Sequence, residues 1–287
     1  AMVASQVLDC PYAVIHAGSD LWRLAGSEVR RPTYRAVLQD AEVVLSSPSS
    51  IQVALARGAH PEAVLGSRPV LTPRRAFARD DAAHLLETQS QGPAVVGLVG
   101  KVGKFKGTFA AIEALAVERD ADWTLRLLTG LGGHSYELAM RRAEELGVGD
   151  RVTTVPYVPP WRVRDFMQSC TAIAFLEHDF PVRIHYPQVP REAATAGMPL
   201  ILSREIYTTQ PFSAEDVPPG LCIIDDPSDP VDLSRRIRGF LSLPNLRELG
   251  LDSVRFVLLM KRLGVDRESD LLKRLAQDLT IAGWARE

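Results

Sequence analysis

From Pro93 onward the chain alternates short aliphatic runs with longer amphipathic segments, and this alternation limits the fold more than any other feature. Strand-length runs separated by helix-length ones are the pattern of βα units, whose strands lie parallel in one sheet. The runs read as strands at Val95–Val99, Thr124–Thr129, Val152–Val155, Ala172–Leu176, Leu200–Ser203 and Leu221–Ile224. Between them, Phe109, Ile112 and Ala116 recur at helical spacing, as do Tyr136, Ala139, Ala143 and Leu146, then Val163, Phe166, Met167 and Cys170. Each set predicts one apolar stripe on a helix. Gly147 and Gly197 stand where such helices should stop. Six strands with intervening helices predict a complete doubly wound, Rossmann-like domain.

Ahead of that domain the pattern is thinner. Tyr12–His16 and Glu42–Leu45 read as strands, with helices around Thr33–Asp40 and Ile51–Arg57. Two strands do not make an independent sheet, so this part is expected to be a partial second α/β domain. The stretch from Gly66 to Arg75, rich in proline and arginine, reads as a linker. At the other end, Val254–Leu263 and Leu271 to Leu279 predict two helices parted by Gly264. The expected division is 1–75, 76–243 and 244–287, with the last part packing back across the others. Two full Rossmann-like domains need more chain than 287 residues, which suggests that about 100 residues of a parent protein lie upstream.

Composition excludes several functions. With 33 basic and 35 acidic residues the net charge is −2, too even for sequence-independent nucleic-acid binding. No apolar run is long enough to span a membrane, and the first residues have no signal-peptide pattern, so a cytoplasmic protein is expected. Three scattered cysteines, Cys10, Cys170 and Cys222, make no disulfide framework and are expected as buried thiols. The histidines lack metal-ligand spacing, and no Asp-x-Asp occurs; the near miss is Asp225-Asp226. No metal is expected.

Two stretches carry chemistry. Gly97 to Thr108 runs from a strand into a loop with Gly100, Gly103 and Gly107 and with Lys101, Lys104 and Lys106, and a helix follows directly. Backbone N–H groups, a positive helix end and lysines suit a diphosphate, while a tight turn with solvated lysines fits the same residues. Neither the P-loop nor the dinucleotide G-x-G-x-x-G spacing is present, which disfavours a dehydrogenase. The second stretch, Glu177 to Ala194, follows the fourth strand of this domain, where open α/β sheets bind ligands. Glu192 there can accept hydrogen bonds from a vicinal diol such as a ribose, or serve the helix end.

Gly100-Lys101, Lys106-Gly107 and the segment Arg191-Glu192-Ala193-Ala194-Thr195-Ala196-Gly197-Met198-Pro199-Leu200-Ile201-Leu202-Ser203 resemble the donor-binding domain of retaining glycosyltransferases of GT-B architecture, group 1 or family 4 type. The resemblance covers Pro93 to about Leu243 and, loosely, the first 75 residues. It implies that Lys101, replacing an arginine, and Lys106 clamp a donor diphosphate over Gly100 and Gly103, and that Glu192 holds the nucleotide ribose. Thr129-Gly130 and Val155–Val158 fall where the family lines its nucleobase pocket. His16, in His16-Ala17-Gly18-Ser19-Asp20, resembles the acceptor-domain histidine that faces the donor sugar.

The sequence also departs from the family. A first glutamate is expected eight positions before Glu192, where Ile184 stands. Glu177, Asp179, Arg183 or His185 could substitute, and Arg183 and Arg191 could bind an acidic sugar or an acceptor phosphate. The implied activity is metal-independent, cofactor-free transfer of a hexose-type sugar, with retention, from a nucleotide-sugar co-substrate to a glycan or lipid-linked acceptor. Peripheral membrane contact would come through the upstream part. The alternative is a non-catalytic GT-B-like module that binds a nucleotide or scaffolds a partner.

Overall fold

The computed structural model describes residues 11–15, 26–46, 51–66, 92–117, 122–180, 187–210 and 217–252. They fall into two compact units, one within residues 1–71 and the other within 72–180 and 187–287.

The first unit holds strands β1 (Ala13–Ile15), β2 (Val43–Ser46) and β3 (Val64–Gly66), with helices α1 (Arg31–Gln39) and α2 (Ile51–Ala56). All three strands are parallel, with β2 central and Ala13 opposite Val43 and Val44 opposite Val64. Pro32 in the first turn of α1 presets its backbone. The helix then buries Tyr34 and Leu38 against Val44, Ala54 and Ala59. The expectation of two strands is thus corrected to three. Strand β3 was hidden because Val64 and Leu65 are its only large apolar residues, and its pairing comes from the backbone of β2. Gly66 belongs to that strand, while the remaining residues of the expected linker lie outside the described residues.

The second unit contains β4 (Ala94–Val99), α3 (Thr108–Val117), β5 (Trp123–Thr129), α4 (His134–Glu145), β6 (Val152–Pro156), α5 (Val163–Gln168), β7 (Ala172–Phe175), α6 (Val189–Thr195), β8 (Leu200–Ser203), α7 (Arg204–Thr209), β9 (Leu221–Ile224) and α8 (Pro230–Leu241). The six strands are all parallel, in the order β6-β5-β4-β7-β8-β9. This is the doubly wound Rossmann order, and the winding reverses between β4 and β7, which places a crevice at the carboxyl ends of those two strands. Strands β7 and β8 are buried along their whole length, as a sheet covered on both faces requires.

Helix α3 departs from the single stripe expected of it. Ala110, Ala111, Ile112, Ala114 and Leu115 are all buried, whereas Phe109 and Ala116 are only partly so. The reason is α8, whose Leu233, Ile237 and Phe240 join the same apolar cluster and give α3 a second covered side. Asp229 caps α8 by accepting from the N–H groups of Val231 and Asp232 at 2.9 and 3.1 Å. The expected stops hold: Gly147 and Gly197 have φ of 71° and 77°, a left-handed conformation that glycine adopts at little cost. Cys170 is buried and Cys222 half-buried, not fully buried as expected; burial pushes both thiols up to about 11. Cys10 and the two expected C-terminal helices lie outside the described residues.

Candidate donor-binding site

Strand β4 ends at Val99, and the chain turns at Gly100, whose φ is 128° and whose N–H donates to Leu128 O at 3.0 Å. Lys101 follows, exposed to solvent. After Gly103 a short 3-10 turn, Lys104–Lys106, closes with Gly107 N–H donating to Lys104 O at 3.2 Å. Gly107 has φ of 72°, and a Cβ there would run into the Cβ and carbonyl of Leu176. Only glycine lets the start of α3 press against the end of β7 in this way.

The loop after β7 meets it. Lys106 Nζ donates to Glu177 Oε1 at 2.7 Å and lies 4.5 Å from the centroid of the Phe180 ring. Gly100, Lys101, Lys106, Thr108, Thr129 and Glu177 line one crevice at the ends of β4, β5 and β7. Of the residues expected to hold a donor, the crevice therefore brings together Gly100, Lys101 and Lys106. Gly103 borders the same loop with extended backbone and open space around its Cα.

Gly130, Val155, Arg191 and Glu192 are not among the residues that line the crevice. Gly130, just past β5, lies against the Tyr157 ring at a spacing that would leave an added Cβ 3.1 Å from it. Tyr157 itself is exposed, while Val155 packs inward against the apolar cluster of β7 and α5. Arg191 and Glu192 are on α6, where Pro190 occupies the first turn. Arg191 is buried. Glu192 is half-buried, and burial raises its carboxyl above the usual range despite the opposing charge of Arg191. Such a carboxylate is short of solvent and suited to accept hydrogen bonds from a bound hydroxyl pair. His16, Arg183 and His185 lie outside the described residues. Among the described residues no group of three or more His, Cys, Asp or Glu is placed to hold a metal ion. Asp225 instead pairs with Arg204 at 2.7 Å, and Asp226 accepts from Ser228 N–H at 2.9 Å.

Glu177 appears in the sequence as one of several titratable residues after a buried strand, but its partnership with Lys106 spans 71 positions and has no local signal. Phe180 and Thr108 gave none at all.

Solved structures similar to this chain define the fold class as GT-B. The sucrose-phosphate synthase of Thermosynechococcus elongatus superposes with a TM-score of 0.64 at 18% identity, over 96% of this chain and 71% of that one. The HepE protein of Anabaena, solved in complex with UDP and glucose, gives 0.68 at 16% identity, over 96% and 73%. WaaG, a glycosyltransferase involved in lipopolysaccharide biosynthesis, gives 0.58 at 16%, over 89% and 67%. The family described as glycosyl transferases group 1 matches residues 86–249, more than half of the chain, and the protein belongs to that family. A 43-residue stretch is 74% identical to the acyl carrier protein MmaB of Mycobacterium marinum, covering 15% of this chain and 52% of that protein. An acyl carrier protein of Mycobacterium tuberculosis is 70% identical over 43 residues, 15% and 55% of the two chains. The chain thus spans about half the length of these curated relatives.

Proposed function

We propose that this protein transfers a hexose-type sugar from a nucleotide-sugar donor to a hydroxyl of a glycan or lipid-linked acceptor, with retention and without a metal ion. The observation that carries this reading is the crevice at the winding reversal, where Lys101, Lys106 and a glycine-rich backbone converge at the start of α3. Departure of a nucleoside diphosphate builds negative charge on its outer phosphate, and preplaced cations and N–H groups stabilise that charge as it forms. Glu192 would hold the ribose, Gly130 and Tyr157 would border the base, and His16 would face the sugar. Family membership supports the transfer, and the HepE structures with UDP and UDP-glucose support a uridine donor. Among the described residues no helix is long and apolar enough to cross a membrane. We place the reaction in the cytoplasm, peripheral to the membrane.

The test is turnover of labelled UDP-, GDP- and ADP-sugars by the purified chain: release of the nucleoside diphosphate with one base supports transfer, and binding without release favours a non-catalytic nucleotide-binding module.

The likeness to acyl carrier proteins favours a second reading, in which part of the same chain carries an acyl group. Intact-mass spectrometry of protein purified from a mycobacterial host should then show a covalent acyl-bearing adduct; a spectrum at the bare chain mass alone would contradict it.

A further inference from the structure

Glu177 follows Leu176 at the carboxyl end of β7 and is buried. In its ion pair with Lys106 only 27% of the lysine and 9% of the glutamate side chain are exposed. A sequestered pair of this kind adds little stability over apolar side chains of similar size, because desolvating two charges offsets their attraction. What it does supply is a fixed place for a charge. The surroundings of Glu177 serve the same end. Its carbonyl accepts from Ser203 Oγ at 2.5 Å, and that hydroxyl oxygen also accepts from Ile206 N–H at the start of α7. Two residues on, Asp179 turns the chain with φ of 50°, and Phe180 N–H donates to Glu205 Oε1 at 3.3 Å. Residues 177–180 are therefore tied to β8 and α7 on one side and grip the Lys106 ammonium on the other.

We infer that Glu177 is a positioning residue, whose carboxylate fixes the Lys106 ammonium at the crevice between β4 and β7 for contact with the donor diphosphate. The identity of that anion rests on the nucleotide-sugar reading above, while the holding of Lys106 does not. A loose lysine must lose rotamer freedom each time an anion arrives, whereas a held one is already in place when charge develops. Glu177 lines the same crevice, so its negative charge also opposes a resting anion. Removing the carboxylate is therefore expected to lower turnover while product diphosphate binds equally well or more tightly. That split marks a group acting on the reaction and not on ground-state binding.

The experiment compares wild-type chain with Glu177→Gln, which keeps an acceptor of the same shape, and Glu177→Ala, which removes it. Acetylation of Lys106 by acetic anhydride, measured by peptide mass spectrometry relative to Lys101, requires no donor and should rise in the order wild type, Gln, Ala, reaching about fivefold as the shielding contact is lost. With a turned-over nucleotide sugar, kcat should fall about tenfold in Glu177→Ala without a rise in KM. If Glu177→Ala does not fold, Glu177→Gln carries both readouts. Equal labelling of Lys106 in wild type and variants overturns the inference, as does an unchanged kcat. If the wild-type chain turns over no nucleotide sugar, the proposed function falls, and the labelling ratio still decides whether Glu177 holds Lys106.

Discussion

Lys106→Met is expected to weaken nucleoside diphosphate binding by about ten- to a hundredfold, since a charge-assisted hydrogen bond contributes about 1.5–3 kcal/mol and each 1.4 kcal/mol is tenfold in affinity. Lys106 is the cation that two loops converge on, at 2.7 Å from Glu177 and over the Phe180 ring, so its charge is already placed and half withdrawn from solvent. Methionine keeps most of the stem that packs there and removes only the ammonium. Calorimetric titration with UDP, GDP and ADP reads the effect for whichever base binds. Lys101→Met should cost less, because Lys101 is exposed and its charge is screened by water and salt. An affinity unchanged in Lys106→Met would show that the diphosphate is held elsewhere.

Gly107→Ala is expected to destabilise the second unit strongly. The residue has φ of 72°, and its added Cβ would press into the backbone of Leu176. Left-handed backbone costs an L-residue about 1–2 kcal/mol, and overpacking against an unyielding neighbour adds about 1–3 kcal/mol. A loss of about 2–5 kcal/mol is a large share of a typical folding free energy of roughly 5–15 kcal/mol. At about 2–4 °C per kcal/mol for a unit of this size, the melting temperature should fall by roughly 5–20 °C. Gly103→Ala is the control: its backbone is extended, and a methyl would meet nothing within 4 Å, so its melting temperature should stay within about 2 °C of wild type. If Gly107→Ala melted like wild type, the close contact between the start of α3 and the end of β7 would be wrong, and with it the placement of Lys106.

Much of this architecture is written locally in the chain. Five of the six strands of the second unit begin or end on or beside a glycine or proline, β7 being the exception, and their order is consistent with right-handed βα connections. Gly147 and Gly197 mark helix ends because a left-handed residue is needed there whatever the rest of the fold does. The lysine-glycine loop after β4 was legible for the same reason: its glycines and charges fall within eight consecutive residues, 100–107. What the sequence did not disclose depends on partners distant in the chain. Strand β3 exists because β2 offers an unpaired edge, and α3 is buried on two sides because α8 returns from residues 230–241 to cover it. The grip of Glu177 on Lys106 is of this second kind: each residue stood in a legible segment, but their pairing spans 71 positions and has no local signal. Ile184, where the family's first glutamate is expected, lies outside the described residues.

Under the proposed function, the crevice between β4 and β7 seats the diphosphate of a nucleotide sugar, and the bond between sugar and diphosphate breaks there. Release of nucleoside diphosphate from a panel of labelled UDP-, GDP- and ADP-sugars, with and without added alcohol acceptors, tests it most directly. Release above the protein-free rate is expected for one base, carried by wild-type chain and lost in Lys106→Met. Release that is undiminished in Lys106→Met, or no release from any donor by folded wild-type protein, would contradict it.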